Sequence, residues 1–248
     1  MYKMTDLHCH SLCNVDDGAS SLDEMKEMLD IAYDDGIRSI CFTPHFKHHH
    51  FKDTSEMDVY KKKVLRSFDM AKEYVSSKYD DMRVFLGNEI MYHHDVLESL
   101  GKGYCFGISS SSYVLVEFNP NTSFFDINTA LSKLLRKGVR PILAHVERYS
   151  DLSKDLTRVS ALKEIGVVIQ VNSSSVTKFK IGKSARFVNA LFKKGLVDII
   201  ATDAHSSVEF KPIMSAAVKK IEKKYGERVA KRVASINPAK ILENEKLY

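Results

Sequence analysis

A chain of 248 residues that is 44% apolar can bury a full core and suits a single α/β domain of the barrel kind, spanning residues 1–248. Its 37 basic and 32 acidic residues leave a formal charge of +5, too small and too evenly spread to argue for a nucleic-acid partner. Four cysteines without a paired spacing suit a reducing cytoplasm, and no apolar run approaches the ~18 residues of a membrane span, so a cytoplasmic protein without membrane insertion is expected.

Along the chain, strand and helix signals alternate. Met4 to Leu7 reads as a first strand, followed by Leu22, Met25, Leu29 and Ala32 on one helical face, with Ser20 or Ser21 placed to cap it. Ser39 to Phe42 is the second strand, and Tyr60, Val64, Phe68, Ala71 and Val75 mark a long amphipathic helix. Arg83 to Leu86 and Tyr113 to Val116 are the third and fourth strands. A helix through Ile127, Ala130, Leu131, Leu134 and Leu135 follows, closed by Gly138. Pro141 to Ala144, Val167 to Val171 and Asp198 to Thr202 complete seven strands, and Pro212 to Leu247 is helical. About seven such units call for a parallel sheet closed into a distorted (β/α)7 TIM-like barrel, with its active rim at the C-terminal strand ends.

Those strand ends carry the chemistry. Asp6-Leu7-His8-Cys9-His10 sets two imidazoles on one face of an extended chain, with Cys9 turned to the other. Similar signals follow at Thr43-Pro44-His45, Gly87-Asn88-Glu89, Val116-Glu117-Phe118, Ala144-His145-Val146-Glu147-Arg148 and Thr202-Asp203-Ala204-His205, and Asp17 lies in the first loop. The candidate metal ligands are therefore His8, His10, Asp17, His45, Glu89, Glu117, His145, Asp203 and His205. One polar residue at a strand end is usually just satisfied locally; six such signals together are not explained that way. His48-His49-His50 and His93-His94 read as solvated loop histidines. Phe46, Phe51, Tyr92, Phe118 and Tyr149 either border the substrate or pack under the rim.

Nitrogen and oxygen donors without thiolate suit Mn, Fe or Zn, and their number exceeds what one ion needs. Three divalent ions against four carboxylates leave about two positive charges, which favours a dianion such as a phosphate monoester. Arg148 offers a planar fork for its oxygens. The expected reaction is phosphoester hydrolysis by attack of a metal-bound hydroxide. A cysteine-based phosphatase would need Arg six residues after its Cys, where this chain has Val15, Ala19, Lys47 and Ser111.

These motifs, with Val15-Asp16-Asp17-Gly18 and Gln170-Val171-Asn172-Ser173-Ser174, resemble the polymerase and histidinol phosphatase (PHP) family of phosphoesterases over nearly the whole chain. Within it the chain is similar to the bacterial tyrosine-protein phosphatases of capsule and exopolysaccharide loci. The resemblance implies a PHP-fold barrel with three metal ions, usually manganese, and hydrolysis of phosphotyrosine on a tyrosine autokinase that controls polysaccharide polymerisation. It implies the nine residues above as ligands or immediate neighbours of the metals, and Arg148 as a phosphate contact. Asp17, Arg148 and His205 are then the catalytic candidates, and Arg148 and Lys211 the substrate-binding ones. Relatives carry a further Arg in the loop after the last His motif; here Lys211 supplies the charge without a bidentate fork.

Rival readings are a small-molecule phosphatase of histidinol-phosphate type, a nuclease on the same barrel, an amidohydrolase, and an inactive metal-bearing binding module. An amidohydrolase would commonly want a bridging lysine where Glu117 stands, and an inactive module would have lost ligands. Nothing in the pattern sets an oligomeric state.

Overall fold

The computed structural model describes residues 3–178 and 182–247. Its parallel strands are β1 (Met4–Cys9), β2 (Ile37–Phe42), β3 (His45–Phe46), β4 (Arg83–Leu86), β5 (Glu89–Met91), β6 (Tyr113–Glu117), β7 (Arg140–Leu143), β8 (Val168–Asn172) and β9 (Ile199–Ala201). The helices between them are α1 (Leu22–Asp34), α2 (Thr54–Lys78), α3 (Val96–Gly101), α4 (Phe124–Arg136), α5 (Leu156–Glu164), α6 (Ser173–Lys178) and α7 (Lys183–Lys193). Helices α8 (Ser215–Tyr225), α9 (Glu227–Lys231) and α10 (Asn237–Leu242) close the chain, with a π-helical turn at Arg232–Ile236 between the last two.

Hydrogen bonding divides the strands into a sheet ordered β1-β2-β4 and a curled sheet ordered β3-β5-β6-β7-β8-β9. The second and third expected strands, ending at Phe42 and Leu86, are each followed by a further short strand, β3 and β5, that the sequence pattern did not mark. Thr43-Pro44 separates β2 from β3, because proline supplies no N–H to a ladder. Gly87-Asn88 separates β4 from β5, where a Cβ on Gly87 would stand 2.9 Å from Ile108 Cδ1. Backbone bonds bridge the breaks, with Gly87 N donating to Phe42 O at 2.8 Å and Glu89 N to Thr43 O at 3.2 Å. Because the breaks fall at matching places, the chain after each one re-enters the second sheet with His45 paired to Glu89. That pairing sets two candidate ligands side by side.

On the other flank, β1 reaches the segment after β9. His10 N donates to Ala204 O and Asp203 N to His8 O, each at 2.8 Å, and Cys9 bridges Ala204. These bonds bring the first and last ligand motifs together.

Two apolar layers support this arrangement. The smaller, including Leu7, Leu115, Ile142, Val168 and Ile199, lies beneath the rim, on the strand faces that also carry Glu117 and Gln170. The larger packs the opposite faces against the helices; Met25, Met28, Leu29 and Ala32 of α1 contribute, and Ser21 caps that helix by accepting from Glu24 N. A register shift between Asp6 and Cys9 lets Leu7 join the inner layer while His8 still reaches the ligands. Cys9 points into the outer core, away from the imidazoles, with its Sγ 2.8 Å from Ser11 Oγ.

Asp6 is buried and closes the seam between β1 and β9. Its carboxylate accepts from Thr202 N at 3.0 Å, Thr202 Oγ1 at 2.5 Å and His8 N at 3.3 Å. Burial raises its pKa to about 6 despite those donors. Asp6→Ala leaves the Thr202 donors unpaired and is expected to destabilise the protein by about 2 kcal/mol or more, read as a lower urea midpoint. Asp6→Asn, which keeps one acceptor, should lose less.

Candidate metal centre

Eight of the nine expected ligands meet at the C-terminal rim in three overlapping groups, and the ninth, His145, stands against two of them. The innermost is His8, His10, Glu89 and Asp203, all buried. Their ligand atoms converge: His8 Nε2 lies 3.1 Å from His10 Nε2, 3.3 Å from Glu89 Oε2 and 3.2 Å from Asp203 Oδ1. A second group joins His45, Glu89 and Glu117, with His45 Nδ1 3.0 Å from Glu89 Oε2 and 3.1 Å from Glu117 Oε1. His145 Nε2 approaches from the far side, 2.8 Å from Glu89 Oε1 and 3.9 Å from Glu117 Oε2. The outermost group is His10, Asp17, His45 and His205, in which Asp17 Oδ1 lies 3.5 Å from His45 Nε2 and 3.6 Å from His205 Nε2. Glu89 therefore belongs to two groups, as expected of a bridging carboxylate.

The rings are held by partners that leave one nitrogen facing the centre. His10 Nδ1 is 2.7 Å from Asp16 Oδ2, an oxygen that also accepts from His45 N at 2.9 Å, so His10 Nε2 is turned inward. Gly18 N donates to the other oxygen of Asp16 at 3.1 Å, and no side chain is possible at Gly18, where a Cβ would lie 1.7 Å from His10 O. His8 Nδ1 is 3.2 Å from Gln170 Oε1, which also accepts from His145 N at 2.7 Å. Gln170 Nε2 donates to Asn172 Oδ1, and Asn172 Nδ2 to Asp203 Oδ2, both at 2.7 Å. His205 Nδ1 is 2.9 Å from the Asp203 carbonyl, so its N–H donates there and Nε2 is left as the open donor.

His145 and Asp203 both have left-handed backbone, with φ of 33° and 54°. Non-glycine residues pay strain for this, and at both positions it turns a ligand inward directly after a strand.

The electrostatics follow from packing carboxylates among imidazoles. Burial opposes every charge here, yet Glu89 is held well below the usual carboxylate range by His8, His10, His145 and His45. Asp203 is likewise lowered, chiefly by His8 against its burial. Against their own desolvation, His8 and His10 are raised by Glu89, Asp203 and Asp16, and His45 is raised to about 9 by Glu117 and Glu89. Asp16, though buried, is held at about 2 by His10 and the His45 amide. His205 is lowered by burial and by His10, whose ring stacks on it at 4.0 Å. The carboxylates thus draw protons onto His8, His10 and His45, and cations would replace those protons.

The residues fit such cations. His45 Nδ1, Glu117 Oε1 and His145 Nδ1 are buried without a hydrogen-bond partner among the described residues, although His45 Nδ1 and Glu117 Oε1 lie within 3.1 Å of each other. A donor pair that close without hydrogen-bond alignment suits a shared ion better than a direct bond.

Arg148 is half exposed, and its Nη2 donates to Asp203 Oδ2 at 2.6 Å. Lys211 is exposed and borders a small cleft with Thr202, Val208 and Phe210 rather than meeting the ligand groups. A cleft of about 390 Å³ opens on the centre between Asp17, His45, Lys47, His50, Phe51 and Tyr60. Phe46, Phe118 and Tyr149 are buried packing residues, whereas Phe51 and Tyr92 stay partly accessible. Asp16, Gln170 and Asn172 stood in the sequence motifs without a part assigned to them.

A buried rim of imidazoles and carboxylates that could hold metal, on a curled parallel sheet, defines an α/β protein with a candidate metal centre. The chain belongs to the capsular polysaccharide synthesis CpsB/CapC family, whose model matches residues 4–243. It is 34% identical over 247 residues to tyrosine-protein phosphatase CpsB of Streptococcus pneumoniae, covering 98% of this chain and 99% of that one. It is 26% identical to tyrosine-protein phosphatase YwqE of Bacillus subtilis, covering 99% and 94%. A solved structure from work on YwqE and CpsB, described as metal-dependent tyrosine phosphatases, superposes with a TM-score of 0.87 at 26% identity, covering 99% of this chain and 96% of that one. The histidinol phosphate phosphatase of Lactococcus lactis shares the fold, with a TM-score of 0.55 at 14% identity over 92% of this chain and 94% of its own.

Asp16→Asn would keep the shape of the loop but remove the charge that orients His10. Metal affinity is expected to fall roughly 10- to 100-fold with the far-ultraviolet spectrum unchanged, measured by titration with Mn²⁺.

Proposed function

We propose that this chain is a manganese-dependent protein-tyrosine phosphatase that dephosphorylates a bacterial tyrosine autokinase governing capsular or exopolysaccharide synthesis. In this reading it works in the cytoplasm as one domain over residues 1–248. The two broken strands count as one unit each, giving a distorted (β/α)7 barrel. The observation that carries the proposal is the meeting of nine His, Asp and Glu side chains at one rim, four of the imidazoles on the carboxylate of Glu89, with Arg148 at the edge. Family membership and relatives named tyrosine-protein phosphatases support it. Among the described residues no helix is long and apolar enough to cross a membrane.

The three overlapping groups, with His145 beside Glu89 and Glu117, suit three divalent ions, held by His8, His10, Asp17, His45, Glu89, Glu117, His145, Asp203 and His205. When bound, such ions supply Lewis acidity and bring water into its nucleophilic range near neutral pH. The rest falls to the chain. Arg148, tied to Asp203 through one nitrogen, keeps the remainder of its fork for the phosphate oxygens. Lys211, on the loop after His205, borders the neighbouring cleft with Thr202, so its charge acts on the phosphate from outside the ligand groups. Asp17 and His205, 3.6 Å apart at the open edge, would serve the reaction as the outer ligands nearest the incoming substrate. Three divalent ions against four carboxylates leave about two positive charges, which selects a monoester dianion over a diester.

Glu89→Gln is expected to lower phosphotyrosine-peptide hydrolysis roughly a hundredfold or more and to reduce bound Mn²⁺. Wild-type turnover in that variant would sink the reading. Arg148→Lys keeps the charge but loses the fork, so KM for the phosphopeptide should rise more than kcat falls. A chelator should abolish activity and Mn²⁺ restore it. Faster turnover of histidinol phosphate than of phosphotyrosine peptide would replace the tyrosine assignment.

A further inference from the structure

A second cluster lies outside the rim. The turn after β3 carries His48, and the loop after β5 carries His93 and Asp95; ligand-type atoms of all three lie within 4.8 Å of one another. His49, His50 and His94 are exposed, as the sequence suggested, but His48 and His93 are not free loop residues. Their rings stack with centroids 4.4 Å apart, and His93 also rests on the buried ring of Phe46 at 6.1 Å.

Two observations point from this cluster to a ligand. Both ring nitrogens of His93 are buried and neither has a hydrogen-bond partner among the described residues. A neutral imidazole always carries one N–H and one lone pair, so burying both unpaired is costly unless something meets them. Asp95 occupies the N-cap position of α3, yet its side chain makes no capping bond. An aspartate there would ordinarily accept from the first helical turn. Its Oδ2 instead pairs with His94 Nε2 at 2.9 Å, leaving Oδ1 for another partner.

We propose that His48, His93 and Asp95 form a separate binding site for a single divalent transition-metal ion of the zinc class. Two imidazoles and one carboxylate are a borderline donor set that Zn²⁺ accepts readily in tetrahedral geometry, with a fourth position left to water. Mg²⁺ and Ca²⁺, which want oxygen, are disfavoured. Donors around tetrahedral zinc are roughly 3.3 Å apart, so the trio must contract on binding. His48 lies on a short turn next to exposed His49 and His50, which gives it that freedom. The ion would tie the turn after β3 to the loop after β5. Because Lys47 and His50 of that turn line the cleft beside Asp17 and His45, the tie would fix one wall of the entrance to the metal centre.

The test uses Zn²⁺ as the probe and needs no phosphatase assay, so its outcome is independent of the functional reading. Protein preloaded with Mn²⁺ is dialysed to equilibrium against Zn²⁺, and both metals are counted by mass spectrometry. His48→Ala and His93→Ala should each bind one zinc fewer per chain than the wild type, with the zinc that replaces Mn²⁺ at the rim and the circular dichroism the same in all three proteins. Crystals soaked in Zn²⁺ should give a zinc-edge anomalous peak between the three side chains. In hydrogen exchange, Zn²⁺ should protect the amides of residues 46–51 in the wild type and not in His93→Ala. Equal zinc content in the wild type and both variants, or no anomalous peak at the trio, overturns the site.

Discussion

The arrangement depends on one buried carboxylate. Glu89 has four imidazoles around it, with His145 at 2.8 Å from one oxygen and His45, His8 and His10 at 3.0, 3.3 and 3.4 Å from the other. Removing a carboxylate from water is expensive, and the cost is tolerated only where positive charge and hydrogen bonds replace the lost hydration. Here both oxygens are committed, and each faces a different set of donors. The two strand breaks follow from that requirement. Only a chain that leaves one sheet after Phe42 and after Leu86 can bring His45 into register with Glu89.

Around this carboxylate, a ring of neutral and charged groups fixes which atom each ligand presents. Gln170 reaches both His8 and the His145 amide through one oxygen and passes its amide to Asn172, which holds Asp203. Asp16 does the equivalent for His10 and His45. Each network has a backbone anchor, so a ring flip in any one histidine would break bonds on two strands. Rigidity of this kind costs no reorganisation when charge changes at the site.

The candidate ligands that meet at the rim were legible in the sequence because each follows an apolar run at a strand end, and that is a local signal. His8, His10, His45, Glu89, Glu117, His145, Asp203 and His205 all needed only strand periodicity to be found. Asp6, Asp16, Gln170 and Asn172 did not emerge that way, since their partners lie on other strands and a polar residue in a strand has no local mark of what it faces. Alternation also failed at Leu7, which turns inward next to His8 because β1 shifts register there. Among the helices, α5 and α7 were not expected from the sequence, although α7 carries an apolar face in Ala185, Val188, Leu191 and Phe192; the nine residues of α5 give too short a period to stand out. His48 and His93 looked like solvent-facing tracts because two loops 45 residues apart in sequence have no local reason to meet.

Asp203 shows how one side chain can serve two tasks. Its Oδ1 faces His8 and His10, while Oδ2 takes Arg148 and Asn172. The left-handed backbone at Asp203 makes this division possible, because it aims the carboxylate across the rim rather than along the strand. Arg148 is thereby positioned by the same group that sits among the ligands, so the guanidinium and the inner cluster move as one unit. A lysine at this position could satisfy Asp203 or an anion, but its point charge offers no fixed second donor in the same plane. The half-exposed guanidinium keeps one edge on Asp203 and leaves the other toward solvent, so its remaining N–H groups are open without the loss of the contact that holds it.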